Sequence, residues 1–373
     1  MADIDVESKQ FARLTEGAEP ASRVRDGSPT IELVLAGLVL IALAARGFLV
    51  FRMNVNWDEF YFLSLVHDYL RGTLPLPFQT FHVHLFAWLP DIAGDEMAQI
   101  LAARIVMTLL GFASAALIYG IGRRFLTRAG ALFGLLAYLS FSYVIEHGAS
   151  FRADPLLTIL GLTAIFAVLR RPGGAAGAVL AGAAGAVGLL FSIKIALLLA
   201  LVGAVYLCLI IASANRWRAM VEPAVFLVAL AVCFIPLFLL HRASLPVEEM
   251  GATAFLTGAA AKTLTGQGLA KMLNYALLSA LRNPAIWLML LGGLAIALRE
   301  AACCRTRAVG EKLIPVVLSF LLPTLLLYRN AFPYYYAFAL APAAPLAGLF
   351  YDRLTSPVRK SLHRGPLLPA SLI

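Results

Sequence analysis

The chain has 373 residues, 61% of them hydrophobic and 14% charged, with 30 Lys and Arg against 21 Asp and Glu for a net charge of +9. Soluble domains carry nearly twice that share of charge. A water-soluble globular protein is therefore excluded, and an all-α polytopic membrane protein is expected. The basic excess flanks apolar runs, which assigns it to a membrane surface and leaves nucleic acid no evident partner face.

Residues 1–30 are polar and aperiodic and read as a disordered cytoplasmic tail. The apolar run behind them begins too late and is too long for a signal peptide. About ten apolar runs follow, most near the length of a membrane span. They cover residues 33–51, 97–121, 129–144, 155–169, 175–191, 195–212, 221–240, 284–298, 313–327 and 335–350. The bundle is thus expected over 31–351, with a cytoplasmic tail at 352–373. The four cysteines show no disulfide framework and no metal-ligand spacing.

Short-loop charges set the orientation. With the N-terminus inside, the cytoplasmic loops read GRRFLTR, RRPGG, SANRWRAM and REAACCRTRAVGEK, and the tail adds Arg353, Arg359, Lys360 and Arg364. Two long connections, 52–96 and 241–283, then lie outside, with the shorter segments EHGASFRAD, SIK and YRNAFPYYY. In the first connection WDEFYFLSLVHDYLRG carries a helical stripe of Trp57, Phe60, Tyr61, Leu65 and Tyr69, which predicts a helix lying at the interface. PLPFQT breaks it. GLAKMLNYALLSALRNP predicts a second interfacial helix leading into the eighth span.

The candidate site residues cluster on this outer side. Asp58 and Glu59 have two readings: Asn56 as N-cap with Glu59 at N3 forms a capping box, or the acids serve a reaction. Asp95 and Glu96, after Gly94, read as the cap of the second span. Arg152 and Asp154 in FRADPLL read either as a local ion pair with Pro155 in a first helical turn or as functional charges at a membrane mouth. Lys194, between two apolar runs, is a snorkelling turn residue or a site cation. His82 and His84, spaced i, i+2, share one face of an extended segment; they read as polar interfacial tips or as metal ligands. In YRNAFPYYYAF, Arg329, Tyr334 and Tyr335 belong to an aromatic belt or a sugar-stacking wall. No Walker lysine or dinucleotide glycine fingerprint is present, so a soluble nucleotide donor has no evident docking motif.

The order of these features resembles the polytopic GT-C glycosyltransferases, in the branch related to protein O-mannosyltransferases and the lipid A aminoarabinose transferase. The resemblance rests on Arg46 followed by WDEF, then GDEMAQILAARIVMTLLGFASAALIYGIGRRF with Arg104 near its start. FRADPLLTIL, GAVGLLFSIKIALLLAL and YYYAFALAPAAPLAG complete it over about residues 31–350. It implies a GT-C-like bundle with a polyprenyl-phosphate sugar as donor. It implies Asp58 as catalytic carboxylate with Glu59 as partner, and Arg152 and Lys194 at the donor phosphate. Trp57, Asp154, His82, His84, Arg104, Arg329, Tyr334 and Tyr335 form the wider set of substrate-binding candidates.

Transfer from a lipid phosphate suits these residues. The departing phosphate needs cations rather than a general acid. The attacking hydroxyl needs a base, and a carboxylate such as Asp58 can supply it. Single displacement would invert the anomeric centre. A divalent cation on Asp58 with His82 or His84 is a further possibility. The acceptor is a hydroxyl of a glycan, lipid or protein, and a bacterial inner membrane is the expected location. The rival readings are a transporter or lipid flippase, expected to carry polar residues near the midplane, and a noncatalytic binder of lipid-linked sugars.

Overall fold

In a computed structural model of the chain, residues 28–92, 94–170, 174–246, 268–328 and 331–363 are described. Most of the expected N-terminal tail, residues 364–373 and the candidate Arg329 lie outside these residues. Every regular element among the described residues is a helix, as the composition implies.

In chain order α1 is Pro29–Leu49, opened by a proline at the first helical position. The first long connection holds α2 (Trp57–Leu70), α3 (His82–Phe86) and α4 (Leu89–Ile92). α5 (Glu96–Gly122) starts where Asp95 accepts a 2.6 Å bond from the Ala98 N–H, which confirms the expected cap. α6 (Arg128–Leu139) and α7 (Ser142–His147) lead to α8 (Ala153–Arg170), α9 (Ala175–Phe191) and α10 (Ile195–Ala212). α11 (Arg216–Ala219) and α12 (Val221–Ala243) precede α13 (Leu269–Arg282) and α14 (Pro284–Ala302). The chain closes through α15 (Val309–Leu318), α16 (Thr324–Leu327), α17 (Tyr335–Leu340) and α18 (Pro345–His363).

Among the described residues six stretches are long and apolar enough to cross a membrane: α1, α5, α8, α10, α14, and α11 with α12 taken together. α6 and α9 are shorter apolar helices. The remaining expected spans are broken. The third run divides into α6 and α7. The ninth becomes α15 and α16, separated by turns ending at Pro323. The tenth becomes α17 and α18, separated by turns at 341–344 that include Pro342. Proline lacks the N–H that would continue a helix and clashes with the preceding turn, which accounts for the breaks at Pro323 and Pro342, whereas the break at Ser140 and Phe141 contains no proline. α18 runs on through His363, beyond residue 351. Asp352 within it accepts bonds from the Thr127 N–H at 2.9 Å and the Thr127 hydroxyl at 2.5 Å, tying the last helix to the start of α6.

α8 is the most enclosed of the six long stretches and packs against α5, α9, α10 and α17. Small residues permit the close approaches. At Gly182 in α9 a Cβ would lie 2.5 Å from the Phe226 carbonyl oxygen of α12, so only glycine fits there. Because α8 is central, whatever its first turn carries is held at the middle of one end of the bundle.

Candidate functional site

That end gathers residues from four distant stretches. The Asn56 side chain accepts N–H bonds from Asp58 at 2.9 Å and Glu59 at 3.2 Å, and the Asn56 N–H donates to Glu59 at 3.1 Å. The capping box is therefore real, but it does not use both acids alike. Glu59 is fully buried, whereas the Asp58 side chain remains 43% exposed.

Glu59 is the anchor. Its Oε1 accepts from Arg104 Nε at 2.7 Å and from the Phe151 N–H at 2.8 Å, and its Oε2 accepts from Arg104 Nη2 at 2.6 Å. Burial opposes its charge, yet Arg104 and the Phe151 and Asn56 N–H groups hold its carboxyl below the usual carboxylate value. Arg104 also donates to the carbonyls of Val50, Met53 and Asn54 at 3.1, 2.8 and 2.9 Å. All five of its N–H groups are thereby used, and it is 3% exposed. The pair welds α2, the end of α1, α5 and the segment before α8 into one unit. In this arrangement neither residue has a polar atom left over for a substrate.

Asp58 points the other way. Its Oδ2 pairs with Arg152 Nη1. Arg152 Nε lies 3.6 Å from Asp154 Oδ2, and the other oxygen of Asp154 receives Lys194 Nζ at 2.9 Å. The result is a chain of alternating charge, Asp58–Arg152–Asp154–Lys194. The Tyr334 ring lies under both cations, 3.3 Å from Arg152 Cζ and 5.0 Å from Lys194 Nζ. Burial pushes the Tyr334 phenol above its ordinary value, against the opposing pull of Arg152. Phe332 stacks on Tyr334 at 5.4 Å. The Arg152–Asp154 pair expected from spacing is present, with Pro155 in the first turn of α8, but it forms part of a longer network.

Several neighbours were not among the site candidates read from the sequence. His147 ends α7, with its ring 6.4 Å from Tyr334. Burial and the nearby Arg152 lower it to about 4, so it is neutral at physiological pH. Arg46 of α1 is buried, lacks a hydrogen-bond partner at Nε, and borders a small space with Ser114, Tyr138, His147 and Asp154. Gly148 makes room for it. A Cβ there would overlap the Arg46 guanidinium and lie 2.5 Å from the Val144 oxygen. Gly148→Ala is expected to destabilise the protein by about 1–3 kcal/mol, read as a lower Tm in detergent.

Gln79 is the one described non-glycine residue with positive φ, at 62°. Its Oε1 accepts from the Ser192 hydroxyl at 3.0 Å, two residues before Lys194. Backbone strain of this kind persists where surrounding contacts hold it, and here it pins the α2–α3 loop beside the lysine turn. The only sequence signal was the helix-breaking PLPFQT.

The histidine expectation requires correction. His82 and His84 lie on a helix, α3, not on an extended segment. Two residues along a helix rotate about 200°, so the rings diverge. His82 is buried against Phe62, its Nδ1 without a partner, and burial lowers it to about 4. His84 Nε2 lies 2.8 Å from His241 Nδ1, and His241 Nε2 lies 3.0 Å from the Thr80 hydroxyl. Neither histidine pairs with Asp58. Among the described residues no group of three or more His, Cys, Asp or Glu is assembled to hold a metal.

Of the remaining candidates, Trp57 is exposed on the turn beside Asp58. Tyr335 faces inward: it is fully buried, with its hydroxyl 2.8 Å from that of Thr324. Tyr334 is thus the tyrosine that meets the charged chain.

No family model matches this sequence, and no curated protein does. Two solved structures share its fold. The crystal structure of ArnT from Cupriavidus metallidurans bound to undecaprenyl phosphate superposes with a TM-score of 0.63 at 18% identity, covering 90% of this chain and 62% of that one. The Archaeoglobus fulgidus oligosaccharyltransferase in its apo form gives 0.56 at 12% identity, covering 87% and 52%. The chain has the GT-C fold of these membrane proteins and spans about half to two thirds of their length.

Proposed function

We propose that the protein is a membrane glycosyltransferase that moves a sugar from a polyprenyl-phosphate donor to a hydroxyl acceptor. One observation carries the reading: Asp58, Arg152, Asp154, Lys194 and Tyr334, brought from distant stretches, form a single charged chain at one end of a GT-C bundle. The undecaprenyl phosphate held by ArnT supports a lipid-phosphate donor.

The chemistry follows from the charges. Arg152 and Lys194 supply the positive field that a leaving phosphate needs. Both are committed to carboxylates in the structure, so a donor phosphate has to compete for Arg152. As it does so, Asp58 is released from its ion pair. The acceptor oxygen then attacks the anomeric carbon and its proton passes to Asp58. The carbon–oxygen bond to the phosphate breaks, its electron pair remaining on the polyprenyl phosphate. The displacement inverts the anomeric centre. Tyr334 holds the two cations in register, while Trp57, exposed beside Asp58, offers a face for sugar. Glu59 and Arg104 act as positioning residues.

The basic loops favour a cytoplasmic N-terminus and an extracytoplasmic site, consistent with a bacterial inner membrane enzyme. The test is incubation of the purified protein with a panel of prenyl-phosphate sugars and a hydroxyl acceptor. Release of prenyl phosphate, followed by mass spectrometry, supports the reading, and silence across the panel counts against it. Arg152→Ala and Lys194→Ala are each expected to raise the donor KM about 10- to 100-fold, the worth of one charge-assisted contact. Unchanged donor kinetics in both would remove their phosphate role.

A further inference from the structure

The chain Asp58–Arg152–Asp154–Lys194 is balanced as it stands, two carboxylates against two cations. A donor phosphate that draws off Arg152 and Lys194 unbalances it. Asp58 is partly exposed and can meet water. Asp154 is 4% exposed and would keep neither cation. A buried carboxylate without a counter-charge is strongly disfavoured, and a proton neutralises it unless another cation arrives.

Arg46 of α1 is placed to be that cation. It is 7% exposed. Among the described residues it makes no ion pair and no side-chain hydrogen bond, and its Nε is buried without a partner. A buried guanidinium in this state is stabilised by any carboxylate that turns toward it. Arg46 and Asp154 line one space of about 10 Å³, close to the room of a single water. Gly111 and Gly148 flank the guanidinium, so no side chain at those positions bars a short swing across it.

No other group around Asp154 can take this part. The hydroxyls of Ser114, Tyr138 and Thr158, in the same lining, donate to the carbonyls of Leu110, Ala337 and Asp154. Burial and Arg152 lower His147 to about 4, so it brings no positive charge at physiological pH. Tyr334 and Tyr335 present neutral phenols. On α5, Arg104 is held by Glu59. α9, packed along α8, carries no ionisable side chain.

Resting on the transferase reading, we propose that Arg46 is a positioning residue that takes over Asp154 when the donor phosphate draws off Arg152 and Lys194. Asp154 then stays charged without taking a proton, and both cations are freed for the phosphate.

The test is calorimetric binding of undecaprenyl phosphate to the purified protein in detergent, in buffers of different ionisation enthalpy, which counts the protons taken up. Arg46→Gln should take up about one proton more than wild type, so its affinity relative to wild type should fall by up to about tenfold per unit as pH rises. Arg46→Lys should restore the wild-type count. A purely structural role would lower Tm and leave the count unchanged, and an unchanged count in folded Arg46→Gln overturns the proposal. If that variant does not fold, wild type and Asp154→Asn decide. Equal counts are expected, because Asp154 keeps its charge in wild type, and an excess of about one proton in wild type overturns the proposal. Failure of wild type to bind undecaprenyl phosphate at all would overturn the donor reading and this assignment with it, whereas the wrong proton count overturns the assignment alone.

Discussion

Asp58→Asn is expected to lower sugar transfer by about 10²- to 10⁴-fold, the usual contribution of a positioned base, while the protein still folds and inserts. The amide keeps the size and can still accept a bond from Arg152, but it cannot take a proton. Stability should change little. The Asp58 side chain is 43% exposed, and ion pairs in contact with water are worth at most about 1 kcal/mol. The capping box also survives, because the Asp58 contribution to it is a backbone N–H. Initial rates on a donor that wild type accepts, measured beside thermal unfolding of the same preparation, separate the two effects. Wild-type rates in this variant would remove Asp58 from the chemistry.

Glu59→Gln should do the reverse, damaging the fold first. It leaves the Arg104 guanidinium buried without its counter-charge, a change that costs about 3–5 kcal/mol when one partner of a buried ion pair is lost. It also disturbs the acceptors of the Phe151 and Asn56 N–H groups. Thermal unfolding in detergent should show a markedly lower Tm. Replacing Arg104 as well should recover only part of the loss, because Arg104 also satisfies three backbone carbonyls at the end of α1 and just beyond.

The pH dependence supplies a second measurement. The Glu59 carboxyl is held below its ordinary value of 4.5. Its contribution to stability is therefore complete above that value and is lost as pH falls through the lower folded-state value. Wild type should lose stability in acid below about pH 4.5, and Glu59→Gln should lack this component. Identical acid profiles in the two proteins would show that Glu59 is not the buried anchor described.

The two adjacent acids illustrate how far local pattern can reach. Spacing offered Asn56–Glu59 as a capping box beside a reactive reading of the acids, and the box forms. A cap at a surface helix requires no buried partner, however. That Glu59 is sunk against Arg104 while Asp58 turns to Arg152 depends on where α5 and the segment before α8 arrive. The histidines show the opposite failure. The i, i+2 argument assumed extended backbone, and a short helix after PLPFQT rotated the rings apart.

The sequence by itself determined the membrane class, the all-helical architecture, the positions of most long helices, the Asp95 and Asn56 caps and the set of charged residues worth watching. These follow from composition and from contacts a few residues apart, where hydropathy and capping act within one stretch of chain. Only the tertiary structure decided which charges meet. It broke the last apolar runs at their prolines, set Tyr334 rather than Tyr335 under Arg152, and brought His147, Gln79 and Arg46 to the site's surroundings. Those outcomes depend on helices packed from distant parts of the chain, and burial of a charge becomes tolerable only when such packing delivers its partner.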